Sequence, residues 1–303
     1  MTEMTDLQQK LAAVSLNCQV KWNEPMSKHT SFRIGGPAEV MAFPKTVEEL
    51  SEILGICAQL GIRPAILGAG TNVLAPDGCL PGVTVCLKDG LEGMQRLDDT
   101  GIRVMAGVTM TRAAVFAANL GLSGLEFAHG IPGTVGGGVY MNAGAYGGEI
   151  KDVAETVELM DLQGRLHTFT NEEMQFSYRH SVLEGQDWIV VSAVFRLTAA
   201  EPETIRETMR QLQAKRSASQ PLDMPSAGSA FKRPVGGYAA ALIQEAGLKG
   251  YQVGGAAIST KHAGFAVNMG SATAEDVKLL LSQVSDMVFE KFGIRLEPEV
   301  RIW

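Results

Sequence analysis

Residues 68–72 read GAGTN, the first of two glycine-rich segments whose composition suits the binding of an anionic or flat ligand. Glycines allow successive backbone N–H groups to point toward one spot, where they attract anionic oxygens. Thr71 and Asn72 add side-chain donors. The segment lacks the GK[ST] ending of a P-loop, and it does not open a helix as the GxGxxG turn of a dinucleotide-binding unit does. Phosphate binding and an ordinary turn are therefore both open here.

The second segment, residues 130–138, contains five glycines in nine residues and is followed by NAGA at residues 142–145. Pro132 fixes one backbone angle, and the glycines allow the main chain to lie flush against a neighbour. That neighbour is either a ligand or another part of the protein packed on the backbone. We favour a ligand, because each glycine costs conformational entropy that a bound group would offset.

Further polar segments carry side chains that are able to act in catalysis. Residues 225–234 read PSAGSAFKRP, in which two cations follow a serine within four positions. This pattern suits an anionic substrate, and the GxSxG motif of esterases is absent. Taken alone, residues 176–181 (FSYRHS) are typical of a polar strand edge, and residues 296–300 (LEPEV) of a solvated edge. Residues 29–37 (HTSFRIGGP) predict a constrained turn with a solvated arginine.

Charge and composition exclude several classes of function. The 303 residues include 26 Lys and Arg against 33 Asp and Glu, so the net charge of −7 argues against a nucleic-acid-binding protein. The four cysteines and five histidines have no spacing typical of metal ligands, and we predict no metal site. Residues 1–11 lack the basic and apolar regions of a signal peptide, and no window approaches 18 consecutive apolar residues. We therefore expect a cytoplasmic protein with reduced thiols.

Hydrophobic periodicity predicts an α+β fold with two mixed lobes followed by a smaller domain. Thr46 and Glu49 predict a capping box at the start of a helix that ends before Gly61. Residues 273–292 carry an apolar stripe at helical spacing. The other predicted elements are strands over 64–67, 83–87, 102–108, 153–162, 165–169 and 188–197, helices over 111–120 and 202–216, and a loop over 217–225.

Taken together, these segments resemble the UDP-N-acetylenolpyruvoylglucosamine reductase family. The matching stretches are HTSFRIGGPA, GAGTNVL, GIPGTVGGGVYMNAGAYGGEI, FSYRHSVL, PSAGSAFKRP, GLKGYQVGGAAIS, HAGFAVN and LEPEVRI, in the family's order over residues 29–302. The resemblance implies an α+β fold with a two-lobed FAD-binding region of the vanillyl-alcohol oxidase (PCMH) type at 29–200, its lobes at about 20–95 and 96–200. A smaller substrate-binding domain is implied at 204–303. Chain length suggests the subtype without the family's extra tyrosine-bearing loop.

The resemblance also implies a reaction and a set of site residues. FAD, bound without a covalent link, would be reduced by NADPH and would pass hydride to the enolpyruvyl ether of UDP-N-acetylglucosamine enolpyruvate, a precursor of peptidoglycan. Ser229 is implied as the proton donor, Arg179 and Glu299 as stabilisers of an enolate-like intermediate, and Tyr178 and Lys232 as substrate-binding residues. The implied FAD-binding residues are Gly68, Ala69, Gly70, Thr71, Asn72, Gly130, Ile131, Pro132, Gly133, Thr134, Gly136, Gly137 and Ala143.

The chain departs from the family at one position and leaves two other functions open. Many relatives have FKNP where this chain has FKRP, so an asparagine contact with substrate does not carry over to Arg233. One alternative is a flavin oxidase of the same architecture that passes electrons to oxygen, because a fold does not determine function. The other is a non-catalytic nucleotide- or flavin-binding protein. The joint presence of Arg179, Ser229 and Glu299 in matching segments argues against that second alternative.

Overall fold

The structure, a computed structural model, describes residues 4–14 and 16–303 and has the predicted α+β composition. The described helices are α1 (Asp6–Ala12), α2 (Val47–Gln59), α3 (Met110–Asn119), α4 (Val135–Tyr140), α5 (Pro202–Ser219), α6 (Ala239–Glu245) and α7 (Ala274–Phe292). The described strands are β1 (Gln19–Pro25), β2 (Pro37–Phe43), β3 (Ala65–Leu67), β4 (Val73–Leu74), β5 (Leu80–Cys86), β6 (Met94–Arg96), β7 (Gly101–Met105), β8 (Leu122–Ser123), β9 (Gly144–Ala145), β10 (Gly148–Glu149), β11 (Ala154–Asp161), β12 (Leu166–Thr170), β13 (Trp188–Arg196), β14 (Thr198–Ala199), β15 (Ser226–Ser229), β16 (Gln252–Val253), β17 (Ala256–Ile258), β18 (Phe265–Asn268) and β19 (Arg301–Ile302).

The chain forms two compact units, each assembled from several segments and each with its own buried core. Unit 1 comprises the chain up to Trp22, Glu39–Ala69 and Pro81–Ala214. Unit 2 comprises Asn23–Ala38, Gly70–Leu80 and Lys215–Trp303. The domain boundaries inferred from the sequence, 29–200 and 204–303, stay predictions.

A five-stranded antiparallel sheet organises most of unit 1, with the strand order β12-β11-β13-β7-β6. The central strand β13 is buried along nearly its whole length, which explains why its sequence is a continuous apolar run rather than an alternating one. The strands predicted over 102–108, 153–162, 165–169 and 188–197 all lie in this sheet. A second sheet has the order β1-β2-β5-β3.

Helix α2 begins as predicted at Thr46, although only half of the expected capping box forms. The Thr46 hydroxyl accepts a hydrogen bond from the Glu49 amide at 3.2 Å, but the Glu49 carboxylate accepts one from the Lys45 amide at 2.6 Å. The chain turns at Gly61, whose φ of +68° lies in the left-handed region. The Glu49 carboxylate therefore binds the amide of Lys45, one residue before the Thr46 amide that the capping box predicts.

Helix α4 is not among the predicted elements, because three consecutive glycines disfavour a helix. The side chain of Thr134 caps its amino end. A Cβ at Gly136 would lie 3.0 Å from Cβ of Ala106, and one at Gly138 would lie 2.7 Å from Sδ of Met110. Close packing in unit 1 therefore keeps these two positions free of a side chain, whatever the segment binds.

Unit 2 is built on a four-stranded sheet with the order β15-β18-β17-β16, against which α7 packs. Helix α7 follows the predicted stripe, whose members are all buried: Val277, Leu280, Leu281, Val284 and Val288. Thr273 and Asp276 form a complete capping box, and Gly293 ends the helix at φ +70°. Strand β19 pairs in parallel with β4, which attaches the carboxyl-terminal segment to residues 73–74.

The turn predicted over residues 29–37 is confirmed in unit 2. Arg33 is exposed and has a φ of +56°, and the hydroxyl of Thr30 donates to the carbonyl of Ile34 at 2.9 Å. A Cβ at Gly35 would lie 2.7 Å from the Cβ atoms of both Ala75 and Met26. The loop predicted over 217–225 begins later, because α5 extends through Ser219.

The four cysteines are free thiols with very different surroundings. Burial raises the pKa of both Cys57 and Cys86 to about 11, whereas Cys79 is exposed. Since the thiolate is the reactive form, a thiol with such a pKa is ionised to only about 0.1% at about pH 8. We expect iodoacetamide to alkylate Cys79 in the folded protein and to spare Cys57 and Cys86 until the protein unfolds. Peptide mass spectrometry of native and urea-unfolded samples measures this, and equal labelling of the three would contradict it.

No helix within residues 4–14 and 16–303 combines the length and the apolar character that a membrane span requires.

Candidate active site

Arg179 of unit 1 lies in a tight turn, rather than on the strand edge that its local sequence favours. Ser177 and His180 close this turn through two backbone hydrogen bonds of 3.1 Å each. Arg179 itself has a φ of +55°, which non-glycine residues rarely adopt. Its Nη2 donates to the carbonyl of Gly144 at 3.2 Å, and its guanidinium carbon lies 5.2 Å from the centre of the exposed Tyr178 ring. The cation is thus held by its own turn and by Gly144.

Some backbone groups of residues 131–133, just before α4, are hydrogen-bonded within unit 1. The amide of Ile131 donates to the Ala128 carbonyl at 3.1 Å, and the carbonyl of Gly133 accepts from Met110 at 3.0 Å. Gly133 has a φ of +136°, a conformation that requires glycine. Gly130 is partly exposed and Pro132 is exposed. The predicted glycine and proline segment is therefore anchored to the unit and still presents backbone at the surface.

The other residues predicted around this segment fall into two groups. Thr134 and Gly136 are buried, and both backbone groups of Ala143 are hydrogen-bonded within the unit, the amide to Gly138 and the carbonyl to Ile150. Gly137 is exposed, and a Cβ there would have only the Thr134 hydroxyl nearby, at 3.7 Å. Open backbone in this part of unit 1 is therefore found at Gly137.

The GAGTN loop retains the donors that anion binding needs. The amides of Gly68, Ala69 and Gly70 donate to no acceptor in the described parts of the chain, 4–14 and 16–303. In unit 1, a Cβ at Gly68 would lie 2.6 Å from the Thr134 hydroxyl oxygen. In unit 2, Gly70 has a φ of +61°, and a Cβ there would overlap the carbonyl oxygen of His29. Both positions therefore require glycine.

His129, directly before Gly130, supplies a further polar atom without a partner. Its Nδ1 is buried and makes no hydrogen bond to any described residue, and burial lowers the pKa of the ring so that it stays neutral. A buried polar atom is normally satisfied, so this nitrogen indicates a missing partner. Within unit 1, the unpaired amides of Gly68 and Ala69 suit phosphate oxygens, and the His129 nitrogen suits a polar group of FAD. No cluster of metal-ligating side chains occurs among the residues that the structure describes.

In unit 2, the structure brings Ser229 and Glu299 onto adjacent segments. Ser229 ends β15, where an extra residue and Gly228 at φ +76° form a bulge that turns the exposed serine. The Glu299 amide donates to the carbonyl of Ala230, the residue after Ser229, at 3.0 Å. The side chain of Asn72 donates to the Glu299 carbonyl at 3.2 Å. Residues 72, 229 and 299 are therefore neighbours in unit 2 despite their separation along the chain.

The two cations that follow Ser229 both have partners that the sequence analysis missed. Lys232 forms an ion pair with Glu297, and its amide donates to the Glu297 carbonyl at 2.8 Å. The guanidinium carbon of Arg233 lies 4.4 Å from the centre of the Tyr238 ring. Nothing in the local sequence indicates these partners. The antiparallel bridge between Phe231 and Pro298 is what brings Glu297 next to Lys232.

Several known proteins resemble this chain over almost its full length. The UDP-N-acetylenolpyruvoylglucosamine reductase of Caldanaerobacter subterraneus subsp. tengcongensis is 45% identical over 293 residues, which cover 97% of this chain and 96% of the relative. The enzyme of the same name from Listeria monocytogenes serovar 1/2a is 45% identical over 299 residues, covering 99% and 98%. The crystal structure of UDP-N-acetylenolpyruvylglucosamine reductase from Thermus caldophilus superposes with a TM-score of 0.79 at 35% identity, covering 95% of this chain and 100% of that chain.

Two family models match separate parts of the sequence. The model described as FAD binding domain matches residues 38–170, and that of the UDP-N-acetylenolpyruvoylglucosamine reductase C-terminal domain matches residues 220–303. The α+β fold, the glycine loops and these matches define an FAD-dependent oxidoreductase. This confirms the predicted fold class, enzyme class and cofactor. The chain belongs to the UDP-N-acetylenolpyruvoylglucosamine reductase family.

Gly70 lies so close to the backbone of His29 that an added side chain should destabilise the protein by more than the strain of a left-handed alanine alone. Gly70→Ala places a Cβ in the left-handed region and against a carbonyl oxygen. We expect it to lower the free energy of unfolding by about 3 kcal/mol or more. Gly61→Ala is the matched control, because Gly61 has a similar φ of +68° and no atom within 4 Å of the added Cβ. That control should cost about 1 kcal/mol, and equal urea midpoints for the two variants would refute the role of the contact.

Proposed function

We propose that this protein catalyses the NADPH-dependent reduction of UDP-N-acetylglucosamine enolpyruvate to UDP-N-acetylmuramate in peptidoglycan precursor synthesis, in the cytoplasm. The observation that carries the proposal is the placement of Ser229 beside Glu299 in unit 2, within a chain of this family. The addition of hydride and a proton across a carbon–carbon double bond requires a proton donor, and a neighbouring ionisable group is able to assist a weak donor such as serine. The chemistry that bound FAD supplies is hydride transfer from NADPH to C3 of the enol ether.

Ser229 donates the proton that C2 of the substrate takes up. Hydride addition at C3 moves the π electrons of the double bond toward C2 and the attached carboxylate, and the resulting enolate-like intermediate collapses when C2 is protonated. A serine hydroxyl has no acidic pKa of its own, so neighbouring groups must assist. Lys232, three residues further on, and Glu299 on the adjacent segment are the groups that unit 2 provides.

Arg179 stabilises the negative charge that develops during the transfer, and Glu299 contributes to this only as a neutral carboxylic acid that donates a hydrogen bond. The Arg179 guanidinium is held by Gly144 and by a turn of fixed geometry, so it needs little reorganisation as the charge forms. A preorganised cation of this kind acts more strongly on the transition state than a mobile one. Tyr178 and Lys232 bind the substrate, and Lys232 exchanges its exposed partner Glu297 for a substrate phosphate or carboxylate.

The residues that hold the cofactor lie in the two glycine-rich segments and at Ala143. The amides of 68–70, which have no acceptor among the described residues, would donate to the pyrophosphate oxygens, and Thr71 and Asn72 belong to the same loop. In unit 1 the segment from Gly130 to Thr134, together with Gly136, Gly137 and Ala143, forms the remainder of the cofactor site. Buried Gly136 and Ala143 act by setting the backbone path, and exposed Gly137 acts by direct approach.

Anaerobic turnover tests the proposal against a flavin oxidase. Loss of NADPH absorbance is followed in oxygen-free buffer with and without the enolpyruvyl UDP-sugar, and the product is identified by its mass gain of two hydrogens. We expect NADPH oxidation to require the UDP-sugar and to proceed without oxygen. Consumption that depends on oxygen and ignores the UDP-sugar would identify an oxidase instead. Failure to oxidise NADPH under either condition would identify a non-catalytic flavin-binding protein.

A further inference from the structure

Asn142 is a fully buried asparagine at the point where three segments of unit 1 meet. Its relative exposure is 0%, although asparagine is usually found at the surface. It also has a φ of +41°, a left-handed conformation that asparagine tolerates better than most residues. A buried polar side chain on strained backbone is costly, so the contacts that it makes must be important to the protein.

The carboxamide of Asn142 uses both of its donors and its acceptor. Nδ2 donates to the carbonyl of Ser177 at 2.9 Å and to Oε2 of Glu149 at 2.9 Å. Oδ1 accepts from the amide of Lys151 at 2.9 Å. The orientation of the carboxamide follows from chemistry, because a carbonyl and a carboxylate both require a donor and a backbone amide requires an acceptor. No other side chain of this size supplies two donors and one acceptor in this arrangement.

These contacts fix the turn that carries Arg179. Ser177 opens that turn and is bonded at both backbone groups to His180. A second tie lies just beyond it, where the hydroxyl of Ser181 donates to the Tyr140 carbonyl at 2.7 Å. Asn142 and Ser181 therefore join the turn, at either side of Arg179, to the last residue of α4 and to the segment that follows it.

The same contacts fix the acceptor of the Arg179 guanidinium. That acceptor, the Gly144 carbonyl, lies two residues after Asn142 and belongs to β9, which pairs with β10 through Glu149. Glu149 is the residue whose carboxylate Asn142 holds, and it also forms an ion pair with Lys151 at 3.0 Å. Asn142 thus fixes the position of the Arg179 backbone and also the position of the Gly144 carbonyl, which accepts a hydrogen bond from the guanidinium.

We propose that Asn142 is a positioning residue for the reduction, acting through Arg179 without touching the substrate. The proposal rests on the proposed function, in which Arg179 stabilises the enolate-like intermediate. Loss of the carboxamide releases the Ser177 carbonyl and the Glu149 carboxylate together, so the turn and the β9–β10 pair are free to move apart. A displacement of about 1 Å of a stabilising group is enough to reduce a rate about 100-fold.

The test compares the two half-reactions in the FAD-loaded protein. Asn142→Gly removes the carboxamide and tolerates the positive φ. We expect flavin reduction by NADPH to be unchanged and reoxidation by the enolpyruvyl UDP-sugar to slow about 10- to 100-fold. Asn142→Asp keeps the shape but turns an oxygen toward two acceptors, so it should show the same split if the glycine variant fails to fold. Asn171→Gly is the matched control: Asn171 bridges the Ala154 and Lys151 carbonyls at 2.6 and 2.8 Å, and its loss should leave both rates unchanged.

A double-mutant cycle separates positioning from a structural role. If Asn142 acts through Arg179, adding Asn142→Gly to Arg179→Ala should slow reoxidation by less than about 3-fold. Three results would each overturn the proposal. They are reoxidation of Asn142→Gly at the wild-type rate, equal slowing of both half-reactions in that variant, and slowing of reoxidation by the same about 10- to 100-fold when Asn142→Gly is added to Arg179→Ala. A wild-type protein that the UDP-sugar never reoxidises would show instead that the proposed function has failed, and the positioning role with it.

Discussion

The Ser229→Ala variant is expected to accept electrons from NADPH at the normal rate and to lose about 10²- to 10⁴-fold in flavin reoxidation by the enolpyruvyl UDP-sugar. Reduction of the flavin needs no proton from the protein to C2, whereas product formation does. Ser229 is exposed at the end of β15, so its loss leaves no cavity and should leave stability unchanged. Rapid mixing of reduced enzyme with substrate in oxygen-free buffer measures the second step directly.

Ser226→Ala is the matched control for this experiment. Ser226 lies in the same strand and pairs with Val267, and its contact with Ser31 is made through its backbone carbonyl, which the substitution retains. We expect both half-reactions of this variant to proceed at the wild-type rate. Near-normal reoxidation of Ser229→Ala would remove Ser229 from the proposed mechanism. Equal slowing of the two serine variants would assign the effect to the strand rather than to the hydroxyl.

The second large effect is expected from Arg179→Ala, which should slow reoxidation about 10²- to 10³-fold and leave reduction by NADPH intact. Arg179 is the one arginine or lysine within residues 177–181, so the substitution removes the guanidinium cation from this turn. Arg179→Lys keeps a charge but lacks the planar fork that reaches the Gly144 carbonyl, so its rate should lie between those of Arg179→Ala and the wild type. The same rapid-mixing measurement distinguishes the three proteins.

Arg63→Ala controls for the loss of an arginine in unit 1. Arg63 is exposed and forms a surface ion pair with Asp187 at 2.6 Å, an interaction that contributes little to stability. We expect its kinetics to match the wild type. Rapid turnover by Arg179→Ala would contradict the role of Arg179, and so would a rate for Arg179→Lys as low as that of the alanine variant.

Long elements with strong periodicity were predictable from the sequence. Helix α7 lies within one residue of its predicted bounds, because its apolar stripe, its capping box and Gly293 all indicate the same helix. Helix α4 was not predictable, because two of its three glycines, Gly136 and Gly138, pack closely against Ala106 and Met110, which lie about 30 residues earlier in the chain. Local propensity carries no information about such a partner.

The candidate site residues could be named from the sequence, and they stay predictions, but their arrangement could not be inferred from it. The family resemblance suggested Ser229 and Glu299, yet only the hydrogen bond from Glu299 to Ala230 brings them together. Asn142 had no signal of its own, since a single asparagine within a glycine-rich stretch is usually part of a turn. Its role depends on Ser177, 35 residues further on, and contacts of that range are established only by the folded chain.

An anaerobic absorbance spectrum of the purified protein tests the central claim most directly. The spectrum is recorded as isolated, after addition of NADPH, and again after addition of UDP-N-acetylglucosamine enolpyruvate. We predict a flavin band that bleaches with NADPH and returns with the UDP-sugar, in the absence of oxygen. A band that never bleaches, or one that returns only when oxygen is admitted, would contradict the account.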